Sequence, residues 1–168
     1  MSIREIAKLG NPILRKACKP VADPRSADTR KIVQDLFDTL ADFRGQHGFG
    51  RGIAAPQIGR SVRILVINVD TPIAMINPLL MNRSKSVFSL WDDCFSFPEL
   101  RVRVHRHKSI TVRYTDLDGK RRHIDATEGM SELLQHELDH LRGILTLDGA
   151  FNRNSIVLTS EYHKRFAR

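Results

Sequence analysis

Two histidines and a glutamate lie close together in the last third of the sequence: His136, Glu137 and His140. On an α-helix, residues four apart share a face and lie about 5–6 Å from each other, so both imidazoles can bind one metal ion. Glu137 points to nearly the same place, where a carboxylate can move protons without binding the ion. Two core histidines with one hydrogen bond each are the alternative. The complete H-E-x-x-H pattern on an amphipathic segment favours the metal site.

The helix that carries this motif is predicted from about residue 128 to residue 142, with Gly143 just past its end. One stripe of the helix is apolar and can pack on a sheet: Leu134, Leu138 and Leu141. The neighbouring stripe combines Leu133 with the motif itself. The far side is polar and is expected nearer solvent: Ser131, Gln135, Asp139 and Arg142. The two histidines should therefore face inward, beside the apolar surface.

A third metal ligand is needed, because catalytic sites generally take three protein ligands and keep one position for water. Cys94 lies in the irregular segment "LWDDCFSFPELR" (90–101), and a thiolate is a strong ligand for borderline divalent metals. A small buried hydrophobic side chain is the commoner role of a free cysteine. Asp148 and Glu161 follow the helix, but neither stands in a convincing motif. The residues alone leave the third ligand open.

The remaining elements follow from hydrophobic periodicity and turn signals. They are a helix over 26–44 that ends before Gly45, a glycine-rich loop over 45–59, strands over 62–68 and 74–81, a hairpin over 99–125 with an Asp118-Gly119 turn, and a helix near 155–166. The order helix, strands, helix predicts an α+β fold rather than a doubly wound parallel sheet. Without a repeat or linker, residues 1–168 are expected to form one domain.

Composition excludes some classes of protein. Hydrophobic residues make up 41% and charged residues 27%, which is typical of a globular chain. No apolar run approaches the roughly 18 residues that cross a bilayer, so no membrane partner is expected. Two cysteines are too few for a disulfide framework, and the first residues have no secretory pattern, so a cytoplasmic location is predicted.

The chain is basic, with 27 Lys plus Arg against 19 Asp plus Glu, for a net charge of +8. Such a charge can attract nucleic acid, ribosomes or acidic membranes. Basic clusters occur at "RVRVHRHK" (101–108) and "GKRRH" (119–123), where they alternate with β-branched residues. This alternation favours a solvated strand face over a nucleic-acid patch, so charge alone does not decide the function.

Three motifs resemble those of the peptide deformylase family, in the family's order and over nearly the whole chain. "GRGIAAPQ" (50–57) follows the pattern G-x-G-x-A-A-x-Q, "DDCFS" (92–96) stands in place of E-G-C-L-S, and "QHELDH" (135–140) matches Q-H-E-x-D-H. The opening "LGNPILRKACKPV" (9–21) is also typical of the family. The resemblance implies mostly antiparallel sheets packed around a central metal-binding helix.

The resemblance also implies a reaction, in which the N-formyl group is removed from the N-terminal, formyl-methionine residue of newly made polypeptides and formate is released. It makes Cys94 the third ligand beside His136 and His140, for one divalent ion: Fe(II) first, with Zn, Ni or Co as other candidates. Glu137 is then the proton carrier. Three further roles are implied: the Gln57 amide and the Phe95 backbone N–H stabilise the developing oxyanion, Gly52 binds the extended substrate, and Arg101 lies near the peptide.

Several positions depart from the family. Asp92 and Asp93 replace Glu and Gly, and Phe95 replaces Leu. Arg51 and Glu132, with Leu133 beside them, occupy positions that usually help to line an apolar methionine pocket. If the two charges pair, we expect catalysis to persist with a weakened or altered preference for formyl-methionine; the alternative is that both side chains extend outward to solvent.

Two other functions remain open at this point. One is a deformylase-like amidohydrolase that acts on a different N-formyl substrate, which the charged positions 51, 93 and 132 favour. The other is a catalytically silent homologue that binds ribosomal RNA through its basic surface. Against a catalytically silent protein, the chain keeps all five of the catalytic and metal-binding residues: Gln57, Cys94, His136, Glu137 and His140. Association with the ribosome is a predicted partnership of the active enzyme as well, and the sequence does not give the oligomeric state.

Overall fold

The computed structural model describes residues 2–166, which form three helices and eight strands. The helices are α1 (Ala27–His47), α2 (Glu128–His140) and α3 (Thr159–Phe166). The strands are β1 (Gly52–Ala54), β2 (Ile64–Asn68), β3 (Pro72–Arg83), β4 (Val87–Asp92), β5 (Leu100–His107), β6 (Ser109–Thr115), β7 (Arg121–Thr127) and β8 (Ile156–Leu158). Within these residues, no helix is both long and apolar enough to cross a bilayer.

The strands form two sheets. One has five strands in the order β1-β2-β3-β6-β7, and the other has three in the order β4-β5-β8. Each neighbouring pair in both sheets is antiparallel. The α+β fold with antiparallel sheets predicted from the sequence is therefore confirmed.

The helix α2 lies between the sheets and packs against β1, β7 and β5. Its apolar stripe is buried as predicted, in a cluster that includes Leu65, Met75 and Val112 of the five-stranded sheet. Because burial of a leucine side chain contributes about 2 kcal/mol, this stripe fixes the rotation of the helix about its axis. The neighbouring stripe with the two histidines then has to face the second sheet.

The far side of α2 was predicted to be nearer solvent, and for two of its residues this is wrong. Ser131 and Gln135 are buried, and both donate hydrogen bonds to the carbonyl oxygen of His107, at 2.8 and 3.0 Å. The Gln135 side chain also accepts from the backbone N–H of His107 at 3.0 Å. These polar groups are buried because they satisfy the backbone where β5 ends. Arg142 is exposed, as expected.

Two stretches differ from the predicted elements. The glycine-rich loop over 45–59 contains β1 and a 3-10 turn, Ala55–Ile58. The predicted hairpin over 99–125 is three strands, of which only β6 and β7 form a hairpin, around the Asp118-Gly119 turn. At Lys108 the chain passes from one sheet to the other, since β5 pairs with β4 and β6 pairs with β3. The β4 strand was not predicted, because its polar end was interpreted as irregular.

The predicted first helix is confirmed, although it continues beyond Gly45. Its buried face packs on β2 and β1. The side chain of Ser26 caps its start by accepting from the Thr29 N–H at 3.2 Å, and Gly48, at φ +74°, ends it. The weakly patterned last helix is also present, as α3.

The N-terminal segment before α1 runs along the edge of all three motif regions. The backbone N–H of Ala7 donates to the carbonyl of Gln57 at 2.7 Å, and that of Leu9 donates to Ser96 at 2.9 Å. Further on, the Cys18 N–H donates to the carbonyl of Leu141, just past α2, at 2.9 Å. We call residues 7–18 the N-terminal strap, because they connect parts of the chain that lie far apart in sequence.

Gly143, which follows α2, should be one of the least replaceable glycines. It has φ +75°, and a Cβ atom there would lie 2.6 Å from the backbone carbonyl of Arg15 in the strap. We expect Gly143→Ala to lower the free energy of unfolding by about 3 kcal/mol, from left-handed strain of about 1–2 kcal/mol plus the clash. Gly48→Ala is the control, because Gly48 has φ +74° and open space around its Cβ position. If urea denaturation showed equal decreases in the free energy of unfolding for the two variants, this prediction would be wrong.

Candidate metal centre and active site

Three side chains from two elements converge between the sheets. Cys94 follows β4, and His136 and His140 lie one turn apart on α2. The Cys94 Sγ is 3.3 Å from His140 Nε2, which is 3.2 Å from His136 Nε2. All three residues are buried, and their ligand atoms lie within 4.8 Å of one another. Among the residues that the structure describes, no other His, Cys, Asp or Glu group has this arrangement.

These distances fit a bound divalent ion. A tetrahedral ion with metal–nitrogen bonds of about 2.0 Å and metal–sulfur bonds of about 2.3 Å places its ligand atoms about 3.3–3.6 Å apart. The observed separations of 3.2 and 3.3 Å are close to this range. A thiolate and two imidazoles suit iron, zinc, nickel or cobalt rather than magnesium or calcium. The side chains are therefore suited to a transition-metal ion.

The Nδ1 atom of His136, on the side of the ring away from the other two ligand atoms, lies against a carboxylate. Asp92 Oδ2 lies 3.1 Å from His136 Nδ1 and accepts from Arg106 Nη2 at 3.0 Å. Burial alone would raise the pKa of Asp92, but His136 and Arg106 lower it to about 2. Burial alone would lower the pKa of His136, but the ionised Asp92 raises it well above 6.5 and keeps a proton on Nδ1, so an ion binds Nε2 by displacing its proton. Arg106 also donates to Asp139 at 2.6 Å, so the buried charges form a connected network.

Sequence reasoning did not assign a role to either Asp92 or Arg106. Asp92 was treated only as a shorter replacement for glutamate, and Arg106 was counted in a solvated basic cluster. Arg106 is only 8% exposed, so the solvated interpretation is wrong for this residue. One signal was present: Arg106 shares a strand face with Val102 and Val104, which are also buried.

His140 is as deeply buried as Cys94, at 1% exposure. Burial, with His136 next to it, lowers the pKa of His140 well below its ordinary value of 6.5. The ring is therefore neutral near pH 7, which is the form that binds a metal ion. Its Nδ1 has no hydrogen-bond partner within residues 2–166.

Glu137 lies beside the three ligands in a nearly dry environment. It is 3% exposed, and its Oε2 has no hydrogen-bond partner in the described part of the chain. Burial is the largest cause that raises the pKa of Glu137, to about 7. Gly52 makes room for this side chain, because a Cβ atom at position 52 would lie 3.0 Å from Glu137 Oε1. A carboxyl group with a pKa near 7 can both accept and release a proton at neutral pH.

Gln57 and Phe95 lie next to the thiol ligand. The Ala54 N–H donates to Gln57 Oε1 at 2.9 Å, which turns the Gln57 amide nitrogen toward Cys94 Sγ, 3.8 Å away, and Ser96 Oγ, 3.4 Å away. The Phe95 ring stacks on Phe43 with ring centroids 3.8 Å apart. This packing fixes the backbone directly after the thiol ligand.

A cavity of about 200 Å³ lies over the ligand group. Ten of the twelve site residues expected from the sequence line it. The other two are His140, which lies beneath, and Arg101, which is held at the rim by an ion pair with the lining residue Asp93. The structure thus places these residues around one space.

Arg51 and Glu132 form an ion pair in the cavity wall. The Arg51 Nη2 donates to Glu132 Oε2 at 2.8 Å, and Nη1 donates to the Gly129 carbonyl at 3.0 Å. Glu132 is only 6% exposed, so the alternative in which both side chains extend into solvent is wrong for this residue. Leu133 supplies an apolar part of the same wall.

Asp92→Asn should weaken metal binding. Because the ligating histidine would lose its charged partner, we expect the affinity for Zn²⁺ to fall about 10–100-fold, measured by competition with a fluorescent chelator. Asp125→Asn is the control, since Asp125 is exposed on β7 and hydrogen-bonds only to Thr111 among the described side chains. Equal affinities of the two variants would show that Asp92 does not support the ligand.

Comparisons with known proteins agree with this site. The family model described as polypeptide deformylase matches residues 3–155. The chain is 32% identical to peptide deformylase 2 of Nostoc sp., over 95% of this chain and 92% of that protein, and 34% identical to the peptide deformylase of Dictyoglomus turgidum, over 92% and 97%.

Solved structures give the same result. The crystal structure of peptide deformylase from Thermotoga maritima has a TM-score of 0.83 and 31% identity, covering 90% of this chain and all of that one. The Ehrlichia chaffeensis enzyme in complex with actinonin has a TM-score of 0.84 and 30% identity, covering 92% of each chain. The resemblance inferred from the three motifs is confirmed: the chain belongs to the polypeptide deformylase family, whose members remove the N-formyl group from newly made polypeptides.

Proposed function

We propose that this chain hydrolyses the terminal formamide of formylated polypeptides with Cys94, His136 and His140 as metal ligands and Glu137 as the proton carrier. The observation that carries the proposal is the position of Glu137, buried beside three converging ligand atoms at the floor of one cavity. The substrate, water and proton carrier therefore share a single space.

The ion itself is implied by the family, and its identity is part of the proposal. When bound, a divalent ion lowers the pKa of water and polarises a carbonyl oxygen. We assign Fe(II) to the site first, since one thiolate and two imidazoles suit it, and Zn, Ni and Co suit the same ligands. Asp92 and Thr146, 3.1 and 3.2 Å from His136 Nδ1, keep the ring of that ligand oriented.

Glu137 takes the proton of the attacking water and later delivers it to the leaving amine. This cycle needs a carboxyl group that changes protonation state near neutral pH. Burial gives Glu137 such a pKa, about 7, in the ion-free protein. The absence of a side chain at Gly52 leaves the space that Glu137 occupies.

Two donors stabilise the negative charge that develops on the formyl oxygen: the side-chain amide of Gln57 and the backbone N–H of Phe95. Both are held before the substrate arrives, Gln57 through Ala54 and Phe95 through its stack on Phe43. Preset donors need no reorganisation during the reaction, and one of them contributes about 3–4 kcal/mol in well-studied enzymes.

The edge of the five-stranded sheet provides a place for the substrate chain. β1 is an edge strand, and Arg51 uses its carbonyl to accept from the Asn68 N–H on β2 at 2.7 Å. Since successive residues of a strand point in opposite directions, the backbone N–H and carbonyl of Gly52 point away from β2. Gly52 also lines the cavity, so an extended peptide can add to this edge.

A second candidate function is favoured by the Arg51–Glu132 pair. Two paired charges in the cavity wall make it more polar and narrower than an apolar wall would be, which disfavours a methionine side chain. The substrate would then be an N-formyl peptide with a smaller or more polar first residue. Association with ribosomes and a cytoplasmic location remain predictions. The silent RNA-binding alternative is disfavoured, because the chain belongs to the deformylase family and keeps the three ligands.

Glu137→Gln should abolish most of the activity while metal binding remains. We expect kcat/KM for formate release to fall by at least about 100-fold, because the amide cannot carry the proton. Metal content, measured in the same anaerobic preparation, should stay near one ion per chain if Glu137 is not a ligand. Glu128→Gln is the control, since Glu128 lies exposed at the start of the same helix. A variant that retains activity would refute the role of Glu137.

The pocket hypothesis predicts a weak preference for methionine. We expect formyl-Met-Ala-Ser and formyl-Ser-Ala-Ser to differ less than about 10-fold in kcat/KM, as one apolar contact contributes about 1–3 kcal/mol. The double variant Arg51→Leu, Glu132→Leu removes both charges together, so that neither is left unpaired, and should increase the preference for methionine. A native preference above about 100-fold would contradict the altered pocket and leave the deformylase assignment intact.

A further inference from the structure

Four side chains from separate parts of the chain meet at the outer rim of the cavity. Phe49 precedes β1, Asp93 precedes the thiol ligand, Arg101 lies near the start of β5, and Tyr162 lies on α3. Phe49 and Asp93 line the cavity itself. We call these four residues the rim cluster.

An ion pair and two aromatic rings fix Arg101 within the rim cluster. Its Nη1 donates to Asp93 Oδ2, and its guanidinium carbon lies 5.7 Å from the Phe49 ring centroid and 5.6 Å from that of Tyr162. The Arg101 side chain is only 15% exposed. A guanidinium between two rings with a carboxylate at its end is held in place, unlike an ordinary surface charge.

Asp93 is itself held at the rim rather than in the core. Its side chain is 30% exposed, and it lies between the two buried residues Asp92 and Cys94. Both neighbours are fixed, Asp92 by Arg106 and His136, so the backbone aims the Asp93 carboxylate outward, toward Arg101. The rim cluster therefore depends on the same turn that presents the thiol ligand.

The substrate chain has to pass the rim cluster. An extended peptide paired with Gly52 can leave the cavity along β1 in two directions. One direction is closed, because Ala54 is 0% exposed and Gln57 is 2% exposed. The other leads past Gly50 to Phe49, which is a member of the rim cluster. Residues beyond the first one of the substrate therefore run beside Asp93 and Arg101.

We infer that Asp93 is a specificity-determining residue, which holds Arg101 in the rim cluster and so prevents its guanidinium from binding the substrate chain beyond the first residue. A free guanidinium at this place would donate to backbone carbonyls of the passing chain. With Arg101 occupied, the enzyme recognises the formyl group and the first residue and responds weakly to chain length. This inference rests on the proposed function of the cavity.

The test compares two neutral substrates with the same first residue, formyl-Met amide and formyl-Met-Ala-Ser amide. The measured quantity is the ratio of their kcat/KM values, tripeptide over single residue. For the native protein we expect this ratio to differ from unity by less than about 3-fold. Asp93→Ala should raise the ratio at least about 5-fold, mainly through a lower KM for the tripeptide, because Arg101 becomes free to bind it.

Two controls separate this effect from general damage. The double variant Asp93→Ala, Arg101→Met removes both charges, and its ratio should return to the native value. Asp28→Ala breaks the exposed Asp28–Arg60 ion pair, whose atoms lie 2.8 Å apart, far from the cavity, and should leave both activity and ratio unchanged.

The outcomes show whether Arg101 is held away from the substrate chain by Asp93 or binds that chain in the native protein. An unchanged ratio in Asp93→Ala overturns the inference. A ratio in the double variant well below the native value also overturns it, since Arg101 would then bind the chain in the native protein. If Asp93→Ala does not fold, Asp93→Asn, which keeps the shape of the side chain and removes its charge, is judged by the same criterion. Absence of formate release from every substrate with native protein would refute the proposed function, a result distinguishable from any change in ratio.

Discussion

A buried cysteine sulfur and two buried imidazoles, 3.2–3.3 Å apart, are the constraint on which the rest of the structure depends. Such groups are costly to remove from water unless hydrogen bonds and opposite charges compensate them. Here Asp92, Arg106 and Asp139 form a chain of charges behind one ligand, and Thr146 adds a hydroxyl group. The interior of the protein is therefore organised around a polar group, with the apolar cores on either side of it.

The two-sheet architecture follows from this constraint. The cysteine comes from the turn after a strand of one sheet, and the histidines come from a helix packed on the other sheet. β4 ends at Asp92, so the turn that follows carries Cys94 toward α2. The leucine stripe of α2 is buried against the five-stranded sheet, and this turns the histidines toward that turn. Packing and metal-ligand geometry thus require the same orientation of the helix.

The motif residues could be predicted from the sequence because their patterns are short and local, or because the three motifs occur in the order typical of the family. His136 and His140 show their shared face by spacing alone, and the leucine stripe beside them is buried as predicted. Cys94 was assigned as the third ligand only through the family resemblance, because a single cysteine forms no spacing pattern with another ligand. The support network was not found, since the pairing of Asp92 with Arg106 joins two strands whose register a single sequence does not reveal. Ser131 and Gln135 were misplaced for a related reason: their partner is the backbone of His107.

The N-terminal strap has a consequence for how the site is assembled during synthesis. Its backbone hydrogen-bonds to Gln57, Ser96 and Leu141, one from the neighbourhood of each motif. The ribosome makes the strap first, yet its last partner appears only after more than 120 further residues. The strap therefore cannot complete its hydrogen bonds until most of the chain has been translated. A proteolytic cut or a bulky fusion close to the strap would disturb the catalytic apparatus from outside, although no strap residue lies within the cavity wall.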